Sequence, residues 1–171
     1  MEVIIFDLET TGLSPERGDR IIEIGAIKIV GEKIVDEYQS LISSTAPISP
    51  NAQSVHGISP LMLRGQPDPH VVFSNFRKFI GTASLIAHNV QFDSRFLRAE
   101  FGRLGYGLPN RLECTLRLCR QKLAKLPNYK LETVYRHLGG VVTIEMQRHR
   151  ALDDARMAAF VWLALEKSKQ V

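Results

Sequence analysis

At 171 residues, with 44% hydrophobic and 23% charged side chains, the chain has the composition of an ordinary globular protein with an adequate core. Its longest apolar run, Met157 to Leu165, is nine residues, against the roughly 20 that a membrane-spanning helix needs. The net charge of +4 is unevenly spread: residues 1–50 hold nine acids and four bases, while residues 95–136 hold ten Lys and Arg against three acids. That division suits a polyanion held by bases and worked on at an acidic site. The N-terminus carries neither the basic flank nor the small-residue cleavage site of a secretory signal. A cytoplasmic protein with no membrane partner is expected. Cys114 and Cys119 lack zinc-ligand spacing and read as reduced thiols in or near a core.

In chain order, Val3 to Gly12 predicts a hydrophobic strand ending in a Thr-Thr-Gly turn. Leu13 to Arg20 is a polar connection. Arg20 to Val30 is largely apolar on both faces, as in a central strand covered on both sides. A tight turn at Gly31-Glu32 returns the chain as a third strand, Ile34 to Ile42. The Pro-rich stretch from Ser43 to Pro69 predicts a short helix ending at Gly57, then another capped by Ser59 and opened by Pro60. Val72, Phe73, Phe76, Phe79 and Ile80 mark a helix over Pro69–Gly81 by their spacing. Ser84–Ala87 is a short buried strand, followed by a helix over Asp93–Leu104 and a last strand over Arg111–Thr115. Helices are predicted over Thr115–Leu126 (stopped by Pro127), around Leu131–Leu138 (closed by Gly139-Gly140) and over Ala151–Lys169, with Trp162 as anchor. Val141–Gln147 reads as extended or loop. There is no repeat, low-complexity segment or linker, so residues 1–171 form one domain. A meander followed by strand–helix alternation implies an α/β fold, a mixed sheet with helices on both faces.

Three places carry chemistry. Asp7 and Glu9 sit two apart on the first strand and therefore point the same way. Two like charges at a strand end repel, and a divalent cation is the economical offset. Taken alone, such a pair is more often a solvated face. Asp93 taken alone is a helix cap. His149 precedes the last helix, and Asp154, in its first turns, complements the helix dipole.

In order and at these separations, the stretches resemble the DEDDh exonucleases, most closely the branch of the proofreading epsilon subunit of bacterial DNA polymerase III. The matching residues are Phe6-Asp7-Leu8-Glu9-Thr10-Thr11-Gly12-Leu13, then His88-Asn89-Val90-Gln91-Phe92-Asp93, then His149 with Asp154. Ile21-Ile22-Glu23-Ile24-Gly25-Ala26 and Val55-His56-Gly57-Ile58 add to the likeness. Cys114-Thr115 departs from the Asp-Thr of many relatives, at a position outside the catalytic set. The resemblance implies a ribonuclease H-like fold with a five-stranded sheet and a metal-dependent 3′–5′ exonuclease acting on DNA 3′ ends. It implies two divalent cations, Mg²⁺ or Mn²⁺, held by Asp7, Glu9, Asp93 and Asp154, with Asp7 bridging them. Glu9 and Asp154 would complete the site of the attacking water, Asp93 would support the second metal, and His149 would be the general base. Hard cations want such oxygen ligands, and two together suit phosphodiester hydrolysis.

Asp153 is the rival of Asp154, since neighbours on a helix point about 100° apart. The family spacing selects Asp154 and leaves Asp153 structural. His88 is expected to pack beside the site, and His70 and His137 to be non-catalytic. For substrate, backbone groups of Thr10 and Thr11 are candidates to hold the terminal nucleotide. Leu13, Val55 and His56 are candidates to pack on its base, and Asn89 and Phe92 to line the same pocket. Core packing is the rival reading for Leu13, Val55 and Phe92. Glu23 either meets a basic partner or lies at the surface. The expected partner is nucleic acid with a single-stranded or frayed 3′ end. A DNA polymerase is a further candidate, although no tail of the kind epsilon uses to hold one is evident. The alternatives are an exoribonuclease trimming RNA or short oligoribonucleotides, and a non-catalytic binding module.

Overall fold

A computed structural model describes residues 2–143, 146 and 149–167. Strands β1 (Glu2–Thr10), β2 (Ile21–Val30), β3 (Lys33–Leu41), β4 (Ser84–Ala87) and β5 (Leu112–Cys114) form one sheet in the order β3-β2-β1-β4-β5. The first three are an antiparallel meander, and β4 and β5 run parallel to β1 and to each other. Helices are α1 (Pro50–His56), α2 (Pro69–Ile80), α3 (Val90–Arg103), α4 (Thr115–Lys122), α5 (Leu131–His137) and α6 (Ala151–Lys167). The predicted mixed five-stranded α/β sheet is therefore present, with β1 at its centre.

Strand alternation sorts the core into two layers. Ile4, Phe6 and Leu8 face α2 and α3, where Phe73, Phe76, Phe96 and Phe101 fill the space. Val3 and Ile5 face α6, against Ala155, Ala158, Ala159 and Trp162. The three alanines let this helix lie close to the sheet. Asp7 and Glu9 continue the series of Val3 and Ile5, so both carboxylates lie on the α6 side.

Three elements differ from their prediction. The Ser59–Pro60 segment is a run of turns, not a helix: the amides of Met62, Arg64 and Gln66 each bond three residues back, and Leu63 turns inward onto Ile22 and Ile58. Helix α3 starts at Val90, because Asn89 takes a left-handed φ of 85° and breaks the chain there. Asp93 is thus inside the first turn and caps nothing. Helix α4 ends at Lys122. Leu123 is extended, its carbonyl accepts the Tyr129 hydroxyl at 3.1 Å, and Leu123, Leu126 and Tyr129 fold back onto Cys119 and Val134. Gln147 and Lys169, at predicted boundaries, lie outside the described residues.

Candidate active site

The C-terminal half of β1 brings Asp7 and Glu9 to the N-terminus of α6. Oxygen atoms of Asp7, Glu9 and Asp154 all lie within 4.8 Å of one another. Asp93, buried at the start of α3, stands outside that trio but is the strongest charged influence on Asp7. Burial and then this crowd of carboxylates hold the Asp7 carboxyl well above its ordinary range. Burial, followed by Asp154, Glu23 and Asp93, pushes Glu9 up to about 9. Burial raises Asp93 to about 8, against hydrogen bonds from the backbone amides of Asp93 and Leu8 that favour its charge. Asp154 rises to about 6, again mainly by burial. Four acids pressed together this way favour a bound divalent cation, which replaces lost hydration with direct oxygen ligation. The donor set, all carboxylate oxygen, fits Mg²⁺ or Mn²⁺.

Two residues of β2 set where α6 begins. Glu23 lies opposite Glu9 in the strand register and is fully buried. Its carboxylate accepts from the Arg150 guanidinium at 2.7–3.1 Å and from the Ala151 amide at 3.1 Å. It thus ties down the first amide of α6 and the residue between His149 and the helix. Gly25 lies opposite Asp7. A Cβ there would come within 2.2 Å of the Leu152 backbone nitrogen, so only glycine lets the first turn of α6 rest on the strand. That contact carries Asp154 over the β1 carboxylates. Asp153 turns away and pairs with Arg156 at 3.0 Å.

The histidines separate by what their rings already hold. At His56, Nδ1 accepts from the Ile58 amide (3.0 Å), so Nε2 carries the proton and faces the Thr10 carbonyl at 3.2 Å. At His88, Nε2 meets the Tyr129 carbonyl (2.8 Å) and Nδ1 the Thr115 hydroxyl (2.9 Å). Both rings are occupied, and burial lowers the pKa of each. His149 is different: its side chain is 57% exposed, and Nδ1 lies 3.9 Å from an Asp154 oxygen. Its φ of 58° is an uncommon backbone state for a non-glycine residue. It is the histidine beside the carboxylates with a ring open to solvent.

A cavity of about 640 Å³ adjoins the carboxylates, and Glu9, Thr10, Leu13, Val55, His56 and Phe92 all line it. Leu13 is 76% exposed and Val55 53%, so neither is a core residue; both form an apolar rim. Phe92 packs at a tilt against Phe96, ring centroids 5.0 Å apart, while facing the same space.

Two predicted contacts are not there. Thr11 is fully buried, its amide bonds the Arg20 carbonyl and its carbonyl accepts from Ser49, which leaves its backbone nothing to offer a nucleotide. Asn89 lines a separate cavity beyond the first turn of α3, because its left-handed backbone turns it away from Phe92.

The exonuclease family model RNase_T matches residues 4–161. The chain belongs to this exonuclease family. It is 36% identical over 171 residues to the PolC-type DNA polymerase III of Caldanaerobacter subterraneus subsp. tengcongensis, covering 99% of this chain and 12% of that protein. To the PolC-type polymerase of Thermotoga maritima it is 40% identical over 161 residues, 94% of this chain and 11% of the other. The chain thus spans about one-eighth of the length of the curated relatives it matches. Among solved structures, exonuclease X in complex with 5′ overhanging duplex DNA superposes with a TM-score of 0.80 at 27% identity, over 99% of this chain and 93% of the other. Escherichia coli exonuclease I in complex with a dT13 oligonucleotide gives a TM-score of 0.83 at 20% identity, over 99% and 41%, which speaks to the fold.

Sequence reasoning missed several parts of this exonuclease site. Asp19 accepts from the Thr11 hydroxyl and the Ser14 amide, and a Cβ at Gly12 would strike its carboxylate. Asp19 therefore shapes the cavity floor where only a polar loop was expected. Arg17, Ser49 and Asn51 also line the cavity. The Glu23–Arg150 pair spans 127 positions, and no local pattern announces it. The one available signal was a carboxylate in a largely apolar central strand.

No helix among the described residues is long and apolar enough to cross a membrane.

Proposed function

We propose that this exonuclease removes nucleoside monophosphates from the 3′ ends of DNA, taking single-stranded or frayed ends, in the manner of a proofreading or repair activity. The observation that carries the reading is the meeting of Asp7, Glu9 and Asp154 at the wall of a cavity with an exposed apolar rim. A cluster of this kind weakens the fold unless a cation sits in it, which speaks against a non-catalytic binding module. The PolC-type relatives and the DNA-bound exonuclease X neighbour support DNA over RNA. They also support a polymerase as the working context. Residues 1–171 would act as one exonuclease unit.

In this mechanism the terminal nucleotide enters the cavity, where Leu13 and Val55 lie against its base and Phe92 backs it. Asp7, Glu9, Asp93 and Asp154 would hold two divalent cations, Mg²⁺ or Mn²⁺, which would supply Lewis-acid activation of a water and offset charge on the leaving oxygen. His149 takes the proton of the attacking water, a task suited to an exposed imidazole beside the carboxylates. Attack in line with the phosphodiester breaks the bond to the 3′ oxygen of the preceding nucleotide. That oxygen takes a proton from solvent, leaving a new 3′ hydroxyl and a free 5′-monophosphate. Glu23, through Arg150 and Ala151, keeps His149 and Asp154 at the water.

The test is digestion of matched, 5′-labelled single-stranded DNA and RNA with added Mg²⁺ or Mn²⁺. A ladder shortening from the 3′ end of DNA, lost in Asp7→Ala, is expected. Preference for RNA would replace this reading with an exoribonuclease, and equal cutting by Asp7→Ala would overturn the site.

A further inference from the structure

The excess of positive charge over residues 95–136 divides, in the structure, into cations that are used and cations that are not. Arg95 pairs with Glu16, Arg103 with Glu100, Arg111 with Glu113 and Arg136 with Glu132. Lys122 donates to the Leu165 carbonyl. Arg117 and Arg120 have no ion pair or hydrogen bond among the described residues. They lie three positions apart on α4, so they share a helix face. Both are exposed, and both line one cavity of about 300 Å³.

The opposite wall of that cavity is Asn89 and Gln91, at the start of α3. Asn89 is exposed and its carboxamide makes no capping bond. The same turn of α3 continues into Phe92, which faces the nucleotide cavity, and Asp93 of the carboxylate cluster. Strands β1, β4 and β5 are parallel, so their C-terminal ends share one edge of the sheet. The cavity, beside Cys114 at the end of β5, therefore lies along the same edge as the catalytic carboxylates. On the other flank of the nucleotide cavity the charges are mixed, with Arg17 beside Asp19. The flank past α3 carries unpaired cations and neutral amides and no acid among its lining residues.

We infer that this groove holds the phosphodiester backbone of the substrate strand, on the 5′ side of the bond that is cut. The inference rests on the nucleic-acid exonuclease reading above. Two guanidinium groups on one face offer forked donors that match phosphate oxygens, and the amides of Asn89 and Gln91 add neutral donors opposite them. Such contacts carry no sequence preference and set how firmly a strand is held. A strand whose last nucleotide fills the first cavity needs to cross only one helical turn to reach the second.

The test measures binding of 5′-labelled oligothymidylates, two and twelve nucleotides long, on the Asp7→Ala background so that nothing is cut. The double variant Arg117→Ala/Arg120→Ala is compared with its parent across a salt series. The twelve-nucleotide strand is expected to lose about tenfold or more in affinity. Its log–log salt slope should become shallower by about 1.4, roughly 0.7 for each phosphate contact on a single strand. The loss should grow with strand length, and Arg117→Lys/Arg120→Lys should recover most of it. An unchanged slope, or an equal loss at both lengths, overturns the groove. A loss seen only with a partial duplex hands the cavity to the complementary strand and likewise overturns the assignment. Digestion by the wild type is run alongside: failure to degrade DNA or RNA sinks the catalytic reading, while the slopes report on the groove alone.

Discussion

Glu9→Gln should make the metal-free protein more stable while destroying its activity, and the gain should grow with pH. The free carboxyl ionises near 4.5, whereas burial, followed by Asp154, Glu23 and Asp93, raises Glu9 in the folded protein to about 9. Between those values the folded state holds a proton that the unfolded chain has released, so stability falls as pH rises. Each pH unit corresponds to 1.36 kcal/mol. At pH 8 the accumulated penalty is bounded at about 5 kcal/mol; at pH 5 it is below about 1 kcal/mol. Glutamine has no proton to release and nearly the same shape, so the variant escapes the penalty. For a chain of this size about 1 kcal/mol moves Tm by roughly 2–4 °C, and a third of the bound is already several degrees. The assay is thermal unfolding in EDTA from pH 5 to 8.5, repeated with Mn²⁺. Added metal should close the gap, because it stabilises the wild type by binding the folded state and finds a poorer site in the variant. A Tm difference that is absent at pH 8, or that shrinks as pH rises, refutes the reasoning.

Three more outcomes follow from the start of α6. Gly25→Ala forces a Cβ to within 2.2 Å of the Leu152 backbone; overpacking of this kind costs about 1–3 kcal/mol or more, and the displaced Asp154 should weaken Mn²⁺ binding by calorimetry. Glu23→Gln leaves the Arg150 charge without its carboxylate. Because Arg150 is 23% exposed, the loss in urea unfolding should be about 2–4 kcal/mol, at or below the figure for a fully buried pair, and Arg150→Met in the same background should restore part of it. His149→Ala should lower the turnover rate by about 10²–10⁴ while Mn²⁺ affinity stays within twofold; an unchanged rate removes it as the base.

The parts of the site that repeat with a local period were legible, and the parts made by distant pairings were not. Asp7 and Glu9 could be placed on one face from strand alternation alone, and the same alternation put them on the side of α6. Asp154 needed the family spacing to be chosen over Asp153, whose carboxylate pairs with Arg156 in the structure. Asp93 read as a cap because a carboxylate near a helix start usually is one. The left-handed Asn89 moved that start by three residues and freed Asp93 to face the cluster. Thr11 belonged to the right motif but to the wrong role, since its backbone closes the turn against Arg20 and Ser49. Glu23 could only be left as a question, because its partner lies at the other end of the chain.

That last pairing explains how a site assembled from separated segments keeps its geometry. Asp7 and Glu9 are fixed by the central strand, flanked on both sides by paired neighbours. Asp154 instead arrives on a helix, and His149 just ahead of it, after a stretch with no regular element among its described residues, from Val141 onward. Any charge that the clustered carboxylates take on when no cation is bound repels that helix from β1. Glu23 and Gly25 oppose the push from the neighbouring strand: one by holding the Ala151 amide and Arg150, the other by letting the helix backbone touch the sheet. Neither contacts the substrate cavity. Their register opposite Glu9 and Asp7 means that each carboxylate of the β1 pair has, directly across the ladder, a residue that holds the start of α6 in place.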